Sequence, residues 1–133
     1  MTGTVRRMGY ITREMVRAEP ETLWVFSDNM DREGYGGQAR EMRGEPNAVG
    51  VPTKWRPSRH PDAYFTDADA DNPDVRSAIM HAFAMMRYAL EAGRDVVIPA
   101  AGLGTGLADL PTHAPRIHRA IEAHILSLEE KKQ

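Results

Sequence analysis

The chain has 133 residues, of which 41% are hydrophobic and 27% charged, the usual size and composition of one globular domain. It has no cysteine and a formal net charge of −2, so disulfides, thiolate nucleophiles and cysteine-based zinc sites are excluded, and the charge gives no reason to expect a nucleic-acid partner. No apolar run approaches the ~18 residues of a membrane span, so we expect one soluble, cytoplasmic domain over residues 1–133 with no membrane partner.

The first third of the chain alternates short elements with turns. Residues 10–19 fit either a short helix capped by Thr12 or an edge strand. Residues 22–26 are apolar almost throughout, as expected of a strand that is buried on both faces. A glycine-dense stretch follows this strand, and the good helix formers of residues 38–43 stop at Gly44. The sequence therefore predicts a strand, a glycine turn and a short helix.

The middle of the chain contains a second strand, an irregular segment and the best-defined helix. Residues 47–52 predict the strand, and residues 54–72, with two prolines, predict a surface flap. The helix should begin after Asn72, a capping residue followed by proline, and end at Gly93. Its apolar stripe predicts core positions at Val75, Ile79, Phe83, Met86 and Leu90. Methionines expected to fill gaps around the sheet are Met80, Met85 and Met86.

The last third repeats the order of strand, glycine turn and helix. Residues 96–98 form an apolar strand that breaks at Pro99 into a second glycine turn, and a final helix covers about residues 114–130. This alternation predicts an α/β fold in three layers, α/β/α, with a mostly parallel central sheet. In such sheets ligands collect beyond the carboxyl ends of the strands. Both glycine turns follow strands, so we expect both at that edge.

Two glycine turns at one edge of a sheet indicate a phosphate-binding site. A phosphate is best held by several inward N–H groups, and glycine allows the positive φ values and the close approach that this requires. The two turns are Gly34-Tyr35-Gly36-Gly37 and Gly102-Leu103-Gly104-Thr105-Gly106. The second turn lacks the spacing of a dinucleotide fingerprint, since Gly102, Gly104 and Gly106 are evenly spaced, and no Walker lysine follows, which argues against a Rossmann dehydrogenase or a P-loop enzyme.

Polar and aromatic side chains near these turns are candidate ligand contacts. Asp28 and Asn29 end the first central strand, where they either hydrogen-bond a ribose or an adenine edge or complete a turn. Asn47, at the start of a strand, has the same two interpretations. Tyr35 lies among glycines, where a core position is hard to explain, and could stack on a base. The histidines and acids lack metal-ligand spacing, so we expect no metal and no cofactor.

The order of these motifs resembles the macro domain, which binds ADP-ribose and its derivatives. The segments that carry the resemblance are Val25-Phe26-Ser27-Asp28-Asn29, Gly36-Gly37-Gln38-Ala39 and the run from Pro99 to Pro111. They look like a small macro-like group found often among bacteriophage proteins, and the resemblance covers about residues 22–128. A phage source would place the protein in the host cytoplasm.

The resemblance implies roles for individual residues. In macro domains an asparagine after the central strand supports the distal ribose, the first glycine loop wraps that ribose and the second loop holds the diphosphate. By this resemblance Asn29 supports the ribose, and Asp28 lies near the adenine end. The residues expected to contact the ligand, from the turns and the resemblance together, are Asp28, Asn29, Gly34, Tyr35, Gly36, Gly37, Gln38, Asn47, Gly102, Gly104, Thr105, Gly106 and Leu107.

Whether the protein is an enzyme is open from the sequence. Hydrolytic macro domains often place an aspartate after the first glycine run, where this chain has Gln38. Another subgroup has an aspartate soon after the second loop's last glycine, where this chain has Leu107 and Ala108 before Asp109. A general base must lie within hydrogen-bond reach of the group that it activates, and neither familiar carboxylate is in register. The remaining candidate catalytic residues are Asp28 and Asp109.

Three functions follow from these observations. The first, favoured by the missing carboxylates, is a module that binds an ADP-ribose-like nucleotide and sequesters an NAD-derived signal. The second is a hydrolase that removes ADP-ribose from a substrate or the terminal phosphate from ADP-ribose-1''-phosphate. The third is a structural or protein-interaction domain whose glycines only shape tight turns.

Overall fold

The computed structural model describes residues 2–130, which form an α/β fold. The strands and helices predicted from the sequence are all found, and residues 10–19 contain a helix rather than an edge strand. Of the strands and α-helices, two were not predicted, β1 and α4. In chain order the elements are β1 (Val5–Met8), α1 (Arg13–Ala18), β2 (Leu23–Asp28), α2 (Ala39–Met42), β3 (Ala48–Pro52), α3 (Pro73–Glu91), β4 (Val96–Pro99), α4 (Leu110–His113) and α5 (Pro115–Glu130).

The strands of residues 2–130 form one four-stranded sheet in the order β1-β4-β2-β3, and every pairing in it is parallel. The prediction of a mostly parallel sheet is confirmed. Because all strands run in the same direction, their carboxyl ends lie at one edge. The central strands β2 and β4 are hydrogen-bonded neighbours, with Trp24 opposite Val97. The loops that follow these two strands therefore start side by side.

Successive residues of β2 enter two different hydrophobic cores, because side chains of a strand alternate between its faces. Leu23 and Val25 pack with α3 and α5, whereas Trp24 and Phe26 pack with α1 and α2. Helices thus cover both faces of the sheet, as expected of an α/β/α arrangement. The apolar stripes of both α3 and α5 are buried throughout, at Val75, Ile79, Phe83, Met86, Leu90, Ile117, Ile121, Ile125 and Leu128.

Two of the three methionine predictions on α3 are wrong. Met80 and Met85 are 52% and 41% exposed, and Met86 alone of the three is buried. The first two fall on the solvent side of a helix whose opposite side faces the sheet. The beginning of α3 agrees with the sequence, since the Asn72 side chain accepts hydrogen bonds from the N–H groups of Asp74 and Val75. No helix within residues 2–130 is long and apolar enough to cross a membrane.

Residues 54–72 are part of the packed structure rather than a surface flap. The segment contains two 3₁₀ helices, Pro61–Ala63 and Asp67–Asp71, and an isolated antiparallel bridge pairs Lys54 with Tyr64. Phe65 is 1% exposed and belongs to the larger core, where its ring lies nearly perpendicular to the Trp55 ring at a centroid distance of 5.3 Å. The flap prediction is corrected accordingly.

Candidate functional site

The two glycine turns lie in contact at the carboxyl edge of the sheet. We call residues 34–37 the first glycine loop, which follows β2, and residues 102–107 the second glycine loop, which follows β4. A Cβ atom placed on Gly36 would lie 2.8 Å from Leu107 Cδ1, so the Leu107 side chain rests against the first loop. The sequence therefore located two loops that the fold does bring together.

Two of the loop glycines are explained by the fold alone. Gly34 has a φ of +93°, and a Cβ there would lie 2.7 Å from Pro57 Cβ. Gly104 has a φ of +76°, and its Cβ would lie 2.3 Å from Leu110 Cδ1. Its N–H donates to Ser27 Oγ at 2.8 Å and is not available to a ligand. Both positions exclude side chains by conformation and by packing.

The exposed parts of the loops carry N–H groups that have no acceptor among the described residues. By contrast, the N–H of Gly102 donates to the carbonyl of Pro99 at 2.9 Å and closes the base of the second loop. Groups that donate to no acceptor within residues 2–130 are the N–H groups of Tyr35, Gly36, Gly37, Gln38, Thr105, Gly106 and Leu107. Backbone N–H groups of consecutive turn residues are the donors that proteins use for phosphate oxygens. The loops thus offer donors from two touching segments.

Asp28 lies at this edge, but its carboxylate is already bound by the protein. The side chain is 3% exposed and forms ion pairs with Arg43 at 2.5 Å and with Arg32 at 3.1 Å. Its Oδ1 atom also accepts a hydrogen bond from the N–H of Asn29 at 2.8 Å. These contacts fix Asp28 beneath the first loop and occupy both of its carboxylate oxygens. They argue against the ligand and catalytic roles predicted for this residue.

Asn29 closes a turn with its side chain. Its Nδ2 donates to the carbonyl of Glu33 at 2.8 Å, and its Oδ1 accepts from the N–H of Glu33 at 3.4 Å. This favours the turn interpretation over direct contact with a ribose. Gln38 is similarly occupied, because its side chain accepts from the N–H of Ile11 and donates to the Ile11 carbonyl, both at 2.8 Å. Its side chain ties the segment after β1 to the first glycine loop.

The prediction that Asn47 contacts the ligand needs correction. Asn47 precedes β3 and therefore lies at the amino-terminal edge of the parallel sheet, opposite the glycine loops. It is buried, and its Nδ2 donates to the carbonyls of Val16, Glu19 and Thr22 at 2.9 to 3.2 Å. The side chain joins α1 to the start of β2, a structural role.

Asp109 is the predicted catalytic carboxylate that remains available next to the second loop. Its backbone has a φ of +43°, a conformation that costs energy for a residue other than glycine, and such strain is often found at functional sites. Its N–H donates to the carbonyl of Gly106 at 3.0 Å, and its carboxylate has no partner within residues 2–130. Among the exposed loop side chains, Tyr35 and Leu107 are 64% and 58% accessible, whereas Thr105 donates its hydroxyl to the Ala101 carbonyl.

The sequence did not identify Lys54 as part of this edge. The basic stretch that it begins is typical of a solvated loop, yet Lys54 is buried, donates to the carbonyl of Ser58 at 2.7 Å and lies 4.3 Å from the centre of the Tyr64 ring. Burial, and then the nearby Arg59 charge, lower the pKa of the Lys54 ammonium. A buried lysine just after β3 could not be found from composition, because the burial depends on the fold of residues 54–72.

The tips of both glycine loops are exposed to solvent. The structure has a depression of about 530 Å³ on the outer side of α3 around Met80 and His81, and one of about 330 Å³ beside Arg7 and Glu122. Neither is lined by a residue of the glycine loops. The residues whose N–H groups donate to no acceptor among the described residues are exposed on the loop tips, apart from the half-buried Gln38.

Comparison with known families places the chain without giving it an activity. A family described as a family of unknown function (DUF7831) matches residues 6–124, which include both glycine loops and Asp109. The chain belongs to this family. No curated protein and no solved structure matches it. What the DUF7831 match does show is that the edge of the sheet described above lies inside the family's own boundaries.

Proposed function

We propose that this protein binds a phosphate-bearing nucleotide of the ADP-ribose type where its two glycine loops meet. The observation that carries the proposal is the set of N–H groups on residues 35–38 and 105–107 that donate to no acceptor within residues 2–130. The N–H of Gly104 donates to Ser27 Oγ, whereas those of Gly36, Gly37 and Gly106 donate to no acceptor among the described residues. A diphosphate has enough oxygens to accept hydrogen bonds from both loops at once.

Exposed apolar side chains beside these donors favour a nucleotide over a free phosphate. Tyr35 lies within the first loop, and Leu107 packs against that loop from the second. An aromatic ring and an aliphatic side chain provide surfaces for a base or a sugar, and an aromatic contact of this kind contributes roughly 0.5–1.5 kcal/mol beyond its buried area. Because the loop tips are exposed, we expect the ligand to order them as it binds, at an entropic cost.

Amide chemical shifts test the proposal directly. Titration of the ¹⁵N-labelled protein with ADP-ribose should shift the amide resonances of residues 35–38 and 105–107 with a Kd below about 1 mM. Inorganic pyrophosphate should shift the same amides and compete with ADP-ribose, whereas adenosine, which lacks phosphate, should not. Absence of shifts at these residues with millimolar ADP-ribose would show that the loops are structural turns.

One observation favours a second function, hydrolysis of an ADP-ribose derivative. Asp109 combines a left-handed backbone with a carboxylate that is free within the described residues, next to the proposed phosphate site. A carboxylate in that position can take a proton from an attacking water. Incubation with ADP-ribose-1''-phosphate and with an ADP-ribosylated protein should then give product with the wild type and none with Asp109→Asn, which should still bind ADP-ribose. If the wild type leaves both substrates unchanged, hydrolysis is excluded and only the binding function remains.

A further inference from the structure

The guanidinium group of Arg43 lies beneath the first glycine loop and connects it to β2. Arg43 directly follows α2, and its side chain is largely buried, with the guanidinium carbon 5.6 Å from the centre of the Phe26 ring. Its Nε donates to the carbonyl of Gly34 at 2.7 Å, and one terminal nitrogen donates to the carbonyl of Glu33 at 3.0 Å. The same nitrogen is paired with Asp28. Arg43 thus has few donors left for a ligand.

The fold makes room for this arrangement at β3. A Cβ atom on Gly50 would lie 2.5 Å from Asp28 Oδ2, so a side chain at Gly50 would displace the carboxylate that holds Arg43. Arg32, with a φ of +58°, donates to the Gly50 carbonyl at 2.7 Å and to Asp28 at 3.1 Å. A buried carboxylate is costly unless charged partners surround it. The two arginines supply that charge and tie the loop to the sheet.

The geometry of the peptide bond links this contact to the free donors. In a trans peptide the C=O of one residue and the N–H of the next point in opposite directions. Because the Gly34 carbonyl points at Arg43, the N–H of Tyr35 points away from it. The carbonyls of Gly36 and Gly37 accept from the N–H groups of Ala39 and Arg40, which sets the directions of the next two N–H groups in the same way.

We infer that Arg43 is a positioning residue, which holds the first glycine loop so that its N–H groups face the ligand without touching the ligand itself. The expected effect of Arg43 on ligand affinity rests on the proposed function, whereas its effect on the order of the loop can be measured without any ligand. A lysine has the same charge but lacks the planar fork that spans Asp28 and two carbonyls. The substitution Arg43→Lys therefore separates position from charge.

The test compares Arg43→Lys with Arg40→Lys, the same exchange on the exposed surface of α2. Backbone ¹⁵N relaxation of the ligand-free proteins should give order parameters near about 0.85 in β2 and β4 of both variants. For residues 34–38 they should fall below about 0.6 in Arg43→Lys alone. Calorimetry should show an affinity for ADP-ribose about tenfold lower in Arg43→Lys and unchanged in Arg40→Lys.

Each outcome decides the inference. Order parameters in Arg43→Lys equal to those of the wild type would overturn it. Wild-type affinity for ADP-ribose in Arg43→Lys would also overturn it, because a positive charge at this position would then be sufficient for binding. If loop order falls in this variant but the wild type binds no ADP-ribose, the positioning role stands and the proposed function fails. Should Arg43→Lys not fold, the double variant Arg43→Gln, Asp28→Asn removes both charges together, and the same relaxation measurement decides.

Discussion

The glycines of the second loop are present for different physical reasons. At Gly104 the backbone is left-handed and the space for a side chain is filled by Leu110. At Gly106 no atom lies within 4 Å of an added Cβ, and the N–H is free within the described residues. The same residue type therefore serves the fold at one position and leaves an accessible donor at another, which a sequence alone does not distinguish.

Substitution of these two glycines should separate the roles. We expect Gly104→Ala to lower the free energy of unfolding by about 2 to 4 kcal/mol, because it adds left-handed strain and a clash with Leu110. Gly106→Ala keeps the backbone N–H, and its added methyl group lies in open space. It should change the free energy of unfolding by less than about 0.5 kcal/mol. Urea unfolding followed by circular dichroism measures both. Equal effects of the two substitutions would contradict this account.

Candidate site residues could be found from the sequence, but their partners could not. The positions of Asp28, Asn29 and Gln38 after a strand and around a glycine turn were sufficient to place them at the carboxyl edge. Asp28 pairs with an arginine 15 residues away, and the Gln38 side chain bonds to the backbone of Ile11, 27 residues away. These contacts depend on how α1 and α2 pack. Because of them, the side chains of Asp28 and Gln38 support the first glycine loop instead of being free to contact a ligand.

At the scale of elements, the sequence predicted what strong periodicity or capping specifies. The helix from Pro73 to Glu91 has both an apolar stripe and a cap, and it was found with nearly the predicted ends. The strand β1 was missed because two of its four residues are arginines and it lies at the edge of the sheet. The four-residue helix α4 was missed because it begins beside a proline directly after a glycine-rich loop.

The connection between α1, β2 and β3 depends on Asn47. Because its amide donates to three carbonyls, Asn47→Ala should leave buried acceptors without donors and lower the free energy of unfolding by about 1 to 3 kcal/mol. Glu21→Ala, at an exposed residue of the nearby turn before β2, should have an effect below about 0.5 kcal/mol. Chemical denaturation checks both values. Since Asn47 lies far from the glycine loops, ADP-ribose affinity should be equal in both variants, and a selective loss in Asn47→Ala would restore its predicted ligand role.

The contact between α3 and α5 should make stability depend on pH. The His124 ring stacks on Phe83 at a centroid distance of 4.7 Å, and burial, followed by the Arg87 charge, lowers the His124 pKa below its ordinary value of 6.5. The unfolded chain therefore binds this proton more readily than the folded protein does. The contribution to stability is present above pH 6.5 and is lost as the pH falls through the interval down to the folded-state pKa.

Replacing the ring tests this pH dependence. Between pH 7 and pH 5 (about the range in which a histidine with a lowered pKa titrates), His124→Gln should lose less stability than the wild type. His81→Gln, at an exposed position on α3, should lose as much as the wild type. Thermal unfolding at a series of pH values gives the comparison. The same pH slope in all three proteins would mean that His124 is protonated equally in the folded and unfolded states.

At the scale of the whole molecule, the parallel sheet and the two-sided core follow from alternation of apolar strands with helices, which the sequence displays. The role of residues 54–72 does not follow, because prolines, aspartates and few apolar residues are equally typical of a surface loop. The segment is anchored by Phe65 in the core that α3 and α5 share, and by Pro57 against Gly34 of the first glycine loop. Its folding is thereby coupled to the proposed site.

If this coupling is correct, residues 54–72 unfold together with the sheet rather than as a separate flap. Phe65→Ala should lower the free energy of unfolding by about 3 to 5 kcal/mol, the range for loss of a buried phenylalanine, whereas Tyr88→Ala, at an aromatic residue that is 74% exposed, should change it by less than about 0.5 kcal/mol. Native-state hydrogen exchange should show the bonded amides of Trp55 and Ala63 opening with the same free energy as β2 and β4. A much lower opening energy for these two amides, with small destabilisation by Phe65→Ala, would instead describe a flap that folds independently of the core and does not support the first glycine loop.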